Sequence, residues 1–374
     1  MAAEQKLSLL GENAQFDLSC ACSADPPRRR GPQDRWIYPA VLPDGKRVHT
    51  LKVLLDNSCQ NDCAYCAQRA GRDTPRDRFA PEELARLFDQ MHRASMVRAL
   101  FLSSGLGGNT VRTMDRMIAT VEIIRRRYAF RGFVHLKILP GAEFAQVERA
   151  SQIAQRISIN LEAPGEKRLA ALSGSKNFQS DILERMWWIA KLVREKRFLA
   201  KGHTTQFVVG ASKESDREIA RAAARLYRDY HLTRAYYSKF NPVAQTPLEC
   251  HPPAPFMREH RLYQVDFLLR KYDFLFEDIP FEDDGNLSLQ MDPKTAWACR
   301  NPERFPVEVN RADREELLRV PGLGPLTVQR ILETRAQQKI RSLSDLKKLN
   351  PRAGAAAEYL LFCGKKVARQ VSLL

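Results

Sequence analysis

Cys59, Cys63 and Cys66 stand at C-x3-C-x2-C spacing in Leu54-Leu55-Asp56-Asn57-Ser58-Cys59-Gln60-Asn61-Asp62-Cys63-Ala64-Tyr65-Cys66, directly after an apolar run. This spacing curls a short loop so that three thiolates converge, one for each of three irons of a four-iron, four-sulfur (4Fe-4S) cluster. The fourth iron is left without a protein ligand. An open iron position carries out ligand chemistry as well as holding structure. Zinc is the competing reading, but structural zinc sites close with four ligands and usually pair C-x2-C units. The chain has no second C-x2-C. Of the other cysteines, Cys20 and Cys22 form a C-x-C, Cys250 precedes His251, and Cys299 and Cys363 stand apart; free thiols are their ordinary reading.

The loop needs elements to position it, and the sequence supplies a rhythm of strands and helices. Thr50 to Asp56 reads as a strand leading into the cysteines, preceded by a strand-like run from Trp36 and a D-G turn at Pro43-Asp44-Gly45-Lys46. Further strands are expected at Arg98–Gly105, Phe133–Leu139, Arg156–Glu162, Thr204–Gly210 and Ala235–Phe240. Between them, apolar residues at helical spacing mark helices from Pro81, around Met114 to Val121, at 142–153, 180–197 and 214–230, with a last helix at 258–272. Six strand-then-helix units predict a parallel sheet that curls into a partial (β/α)6 TIM-like barrel, with function at the carboxyl ends of the strands. The expected organisation is an N-terminal cap and hairpin at 1–48, the barrel at 49–274, an acidic, proline-bearing linker at 275–305 and a small all-α domain at 306–374.

In the last segment, two short helices flank Val320-Pro321-Gly322-Leu323-Gly324-Pro325. Two glycines let the backbone approach a phosphate, and the amides opening the second helix can bind it. Gly322, Leu323, Gly324, Thr327 and Arg330 are the candidate nucleic-acid contacts. From residue 306 onward there are 13 Lys+Arg against 7 Asp+Glu, which gives +6 of the whole chain's +16. That balance favours a polyanionic partner, although phosphate contacts of this kind carry no base specificity. No stretch reaches the roughly 18 apolar residues of a membrane span, and no signal-peptide layout opens the chain, so a cytoplasmic protein is expected, in the reducing environment an exposed cluster requires.

The cysteine triplet, with Tyr65 directly before its third member, resembles the signature of the radical S-adenosylmethionine (SAM) enzymes. The resemblance implies that the cluster chelates SAM and that an electron cleaves it to a 5'-deoxyadenosyl radical, with an external donor such as flavodoxin or ferredoxin. It places Tyr65 near the adenine, and Ser103-Ser104-Gly105 where the superfamily usually has the Gly-Gly-Glu that holds the SAM amino group, a departure from the pattern. Asn160 and Glu162 stand as ribose contacts, with Gln206 and Asn241 as further cofactor contacts. The hairpin resembles the helix-hairpin-helix module of DNA repair proteins. Together with Phe207-Val208-Val209-Gly210-Ala211, Tyr236-Tyr237-Ser238 and Thr246-Pro247-Leu248-Glu249, nearly the whole chain resembles a family of DNA modification or repair radical SAM proteins linked to a uracil-DNA glycosylase-like partner, whose reaction is undefined.

A base must leave its stack to meet a buried radical. Tyr236, Tyr237, Lys137 and His203 lie in strand positions that can face the mouth, and Cys250 is a candidate hydrogen-atom donor by resemblance to spore photoproduct lyase. Two alternatives compete with DNA chemistry. One keeps the radical reaction but takes RNA such as tRNA; the other is a nucleic-acid-binding protein whose cluster is not catalytic. The latter arrangement in glycosylases uses four cysteines placed after the hairpin, whereas here three lie well before it.

Overall fold

The computed structural model describes residues 3–16, 36–41 and 47–366. Cys20, Cys22 and the turn at Pro43-Asp44-Gly45-Lys46 lie outside the described residues. The chain divides into two compact units, 1–259 and 260–374.

In the first unit a seven-stranded sheet runs in sequence order: β1 (Ile37–Val41), β2 (Arg47–Leu54), β3 (Ala99–Ser103), β4 (Phe133–Lys137), β5 (Arg156–Ser158), β6 (His203–Val209) and β7 (Arg234–Lys239). β1 pairs antiparallel with β2, Ile37 opposite Leu51, and β2 to β7 are all parallel. The six parallel strands form a partial barrel. Parallel strands are covered on both faces, so they read as continuous apolar runs. Every residue of β3 and of β6 is buried.

After α1 (Ala3–Asn13), the crossovers are α2 (Pro81–Arg93), α3 (Thr110–Arg126), α4 (Phe144–Ile153), α5 (Glu166–Ala170) with α6 (Glu184–Arg194), and α7 (Asp216–Asp229). Their ends follow local rules. Pro81 opens α2 at a position where no amide is needed. The Asn109 side chain accepts from the Arg112 amide at the start of α3. Ser215 and Glu218 cap α7 reciprocally. A single π-helical turn, Phe178–Leu183, precedes α6. No helix among the described residues is long and apolar enough to cross a membrane.

α8 (Phe256–Lys271) carries the unit boundary within it. The second unit then has α9 (Pro293–Arg300), α10 (Arg314–Arg319), α11 (Pro325–Arg335) and α12 (Leu343–Leu349). Its core joins Val309, Leu317, Leu318, Val328, Ile331 and Leu346. A small sheet of β8 (Val307–Glu308), β9 (Leu360–Phe362) and β10 (Lys365–Lys366) accompanies the helices. The segment 275–305, expected as a linker, is folded instead. Phe281, Leu287 and Trp297 within it are buried. The Arg319 guanidinium lies 3.9 Å from the Phe274 ring centroid and 4.9 Å from that of Trp297, and pairs with Asp278 at 2.9 Å. Acidic, proline-bearing composition concealed aromatic residues that pack round this one cation.

Candidate functional site

At the carboxyl ends of the parallel strands lies a cavity of about 300 Å³, lined by Cys59, Cys63 and Cys66 together with the ends of β3, β4, β6 and β7 and the loop after β5. The cysteine loop is braced by the loop after β3. Asp56, 1 % exposed, accepts from the Ser58 amide at 2.7 Å through its carboxylate and from the Gly105 amide at 2.7 Å through its carbonyl. A methyl group on Gly105 would stand 2.4 Å from the Ser58 carbonyl oxygen, so this close approach requires glycine. The end of β3 thereby serves as a buttress for the cysteine loop: the Ser104 hydroxyl donates to the Gly105 carbonyl at 2.7 Å. Both serines and Gly105 also line the cavity.

On the far side the loop is latched through Asp62. Its carboxylate accepts from the Ser173 hydroxyl at 2.6 Å, the Gly174 amide at 3.0 Å, and the Ser175 amide and hydroxyl at 3.2 and 2.8 Å. Burial pushes the Asp62 carboxyl up, but these bonds outweigh it and hold the group well below the usual carboxylate range. The latched residues lead directly to Lys176, which sequence reading missed because a lysine in a Gly/Ser-rich loop is ordinarily solvated. Its side chain is only 7 % exposed, with Nζ 3.6 Å from a Glu162 carboxylate oxygen, and although burial opposes it, the charges of Cys63 and Glu162 raise its pKa.

Glu162 gathers the other side of the cavity. Its charge acts on the Tyr65 phenol, and its carboxylate accepts from Asn160 Nδ2 at 3.5 Å. Its φ of 65° is unusual for a side-chain-bearing residue. The pairing of its amide with the Gln206 carbonyl, and of its carbonyl with the Val208 amide, holds it there. Burial, then the charge of Glu162, raises the Tyr65 phenol well above its ordinary range. Burial pushes the Cys66 thiol up to about 12, and the neighbouring Cys63 and Cys59 add to it. Three thiols that feel one another's charge in one cavity, with one ammonium beside them, fit a cluster taking one thiolate per iron. Bound iron would supply the positive charge that burial withholds. No three His, Cys, Asp or Glu side chains among the described residues are gathered to hold a single metal ion.

Asn160, Gln206, Asn241 and Lys137 line the cavity as well. Tyr236 and Tyr237 do not; they are 3 % and 1 % exposed, and Tyr237 stacks on Phe207 with ring centroids 5.8 Å apart. Barrel strands are buried on both faces, so alternation could not separate mouth from core. His203 opens β6 at its amino end, fully buried, with Nε2 2.8 Å from the Tyr230 carbonyl oxygen. Cys250 is exposed and not among the lining residues; its neighbour His251 packs on Phe240, which is.

In the second unit, the hairpin between α10 and α11 has Gly322 at φ 82°, where L side chains are strained. Gly324 is the N-cap of α11, with no side-chain bond closing the helix end. The Leu323 side chain is buried, so only its backbone faces outward chemistry, and its carbonyl accepts from the Lys294 ammonium at 2.5 Å. Thr327 is buried and its hydroxyl accepts from Asn350 Nδ2 at 2.9 Å. Arg330 is exposed and donates to the Leu349 carbonyl at 2.7 Å.

Residues 304–351 match the model of the helix-hairpin-helix motif. No curated protein matches the chain. Among solved structures, the chain is similar to the FeFe-hydrogenase maturase HydG from Carboxydothermus hydrogenoformans, at 13 % identity and TM-score 0.46 over 58 % of this chain and 50 % of that one. It is similar to methylornithine synthase PylB at 13 % identity and TM-score 0.47, covering 66 % of each chain. A radical SAM methyltransferase from Sphaerobacter thermophilus shows 14 % identity and TM-score 0.46 over 71 % of this chain and 86 % of that one. The chain spans about half the length of the HydG proteins it matches.

Proposed function

We propose that the chain is a radical SAM enzyme that modifies or repairs a nucleotide in DNA. The observation that carries this reading is the shared cavity: the C-x3-C-x2-C cysteines and the polar residues Asn160, Glu162 and Gln206 open into one space at the carboxyl ends of six parallel strands. When bound, a reduced 4Fe-4S cluster supplies the electron that splits SAM into methionine and a 5'-deoxyadenosyl radical. Cys59, Cys63 and Cys66 would hold the cluster, and Lys176 would place a positive charge against its sulfur-rich, anionic surface. Glu162 and Asn160 offer an acceptor and a donor suited to ribose hydroxyls, while Tyr65, close enough to feel the charge of Glu162, would stand against the adenine.

The helix-hairpin-helix match supports nucleic acid as the substrate class, with the Gly322 to Gly324 backbone gripping phosphate. An external electron donor such as flavodoxin or ferredoxin, and a uracil-DNA glycosylase-like protein, are the expected partners. The test is 5'-deoxyadenosine release by anaerobically reconstituted protein with SAM and dithionite, with DNA or tRNA added. Release stimulated by DNA supports the reading; stimulation by tRNA alone moves the substrate to RNA, and no release with either would overturn it.

A further inference from the structure

Next to the cavity, two aromatic rings are brought to the surface and fixed there. Phe144, the first residue of α4, is 41 % exposed and meets the half-buried Trp188 of α6 edge-on, with centroids 5.5 Å apart. The Arg185 guanidinium lies 4.6 Å from the Trp188 ring centroid. Arg185 also donates from Nε to the Ala142 carbonyl at 2.7 Å and from a terminal nitrogen to the Ser180 carbonyl, so one cation ties together the segments leading into both helices. Their position is set by the cavity rim. Gly141 and Asp181 both line the cavity, and the Gly141 amide donates to the Asp181 carbonyl at 3.1 Å. Phe144 follows the first of these residues by three positions, and Arg185 and Trp188 follow the second by four and seven, so the ring pair is carried by the two segments whose starts line the cavity. The π-helical turn at Phe178–Leu183 lies between them, and such turns are frequent at functional sites.

An isolated exposed ring needs no explanation, but a locked pair carrying a cation does. We infer that Phe144, Trp188 and Arg185 form a stacking platform for an unpaired nucleobase of a single-stranded nucleic acid, on the two segments whose starts line the cavity, an inference that rests on the nucleic-acid reading above. Charge selects that occupant. α6 carries Arg185, Lys191 and Arg194 against Glu184 alone. Glu184 is engaged by Arg185 at 2.6 Å, which leaves Glu143 as the exposed acid at the start of α4. The neighbouring Trp187, 54 % exposed, has the Lys191 ammonium 5.7 Å from its ring centroid. Aromatic faces interleaved with cations suit successive bases and phosphates of a single strand, whereas a duplex keeps its base faces sealed.

The test measures binding of the full chain to a labelled oligothymidine and to a blunt duplex of equal length. It compares wild type, Phe144→Ala/Trp188→Ala and Trp188→Phe, each checked for an unchanged melting temperature. The platform predicts roughly tenfold or greater weakening for the single strand in the double variant, duplex affinity within about twofold of wild type, and near-normal binding by Trp188→Phe. Should the wild type bind both oligonucleotides and the double variant bind the single strand equally well, the platform is refuted while the nucleic-acid reading stands. Equal loss in Trp188→Phe and in the double variant would also refute stacking. Wild type that binds neither oligonucleotide overturns both.

Discussion

Lys294→Met probes the support beneath the hairpin. Lys294 is 7 % exposed, donates to the Leu323 carbonyl at 2.5 Å, and has its ammonium 4.8 Å from the Tyr272 ring centroid. Burial pushes its pKa down to about 7; Asp292 opposes the shift and Arg319 adds to it. An unfolded lysine titrates near 10.4. The unfolded chain therefore holds the proton to higher pH, and this lysine's contribution to stability rises with pH between about 7 and about 10. Taking the two values together, burying this lysine costs about 4–5 kcal/mol at pH 6, where it is charged in the fold, and about 2 kcal/mol at pH 9, where it must give up its proton to fold. The methionine variant keeps the side chain's length and apolar stem but has no titration. Its loss of the bond to Leu323, about 1–3 kcal/mol for an unpaired buried carbonyl, is the same at every pH. The stability of Lys294→Met relative to wild type should thus fall by about 2–3 kcal/mol from pH 6 to pH 9. Urea unfolding followed by Trp297 fluorescence, in a background where Trp36, Trp187 and Trp188 are phenylalanine, reads this difference. A difference equal at the two pH values would refute the buried-cation account of the hairpin's support.

Other residues yield further expectations. Gly105→Ala should clash with the Ser58 carbonyl, displace the cysteine loop and cost roughly 1–3 kcal/mol, seen as a lowered melting temperature and reduced iron uptake on reconstitution. Asp62→Ala releases four hydrogen bonds at a solvent-exposed carboxylate, so a loss of only about 1–2 kcal/mol is expected. Hydrogen exchange across 173–176 should rise in that variant, and unchanged protection there would contradict the latch. His203 has its pKa lowered to about 4, mainly by burial and against the Tyr230 bond. The unfolded imidazole takes up its proton first, so stability should fall as pH drops from about 6.5 towards 4 and level off below. Acid titration of the unfolding free energy should be flatter over that range in His203→Gln, and an unchanged profile would remove His203 as the cause.

The strand-and-helix alternation was legible because parallel strands are continuous apolar runs and their connecting helices are amphipathic. Leu100 to Leu102 and Phe207 to Val209 announced themselves this way. The convergence of the cysteines with Asn160, Glu162 and Gln206 followed from placing function at strand ends. Less visible were features that depend on long-range pairing. Lys176 reaches the cavity only because Asp62, more than a hundred residues earlier, clamps the loop before it. Tyr236 and Tyr237 were misplaced because a strand buried on both faces gives no alternating signal. Trp297 and Lys294 sat in a stretch whose acidic and proline content hid a packed element. In the hairpin, Gly322 and Gly324 were readable from backbone requirements, but the burial of Leu323 and Thr327 depends on neighbours such as Asn350.

In the proposed enzyme, Cys59, Cys63 and Cys66 alone hold a cluster with one iron left for SAM. Electron paramagnetic resonance of the anaerobically reconstituted, dithionite-reduced protein, with and without SAM, tests it most directly. About four irons per chain are expected, with a reduced-cluster signal that SAM alters and that is lost in Cys63→Ser. A signal indifferent to SAM, or one that disappears in Cys250→Ser or Cys299→Ser as it does in Cys63→Ser, would mean that the fourth iron is already ligated and would contradict the account.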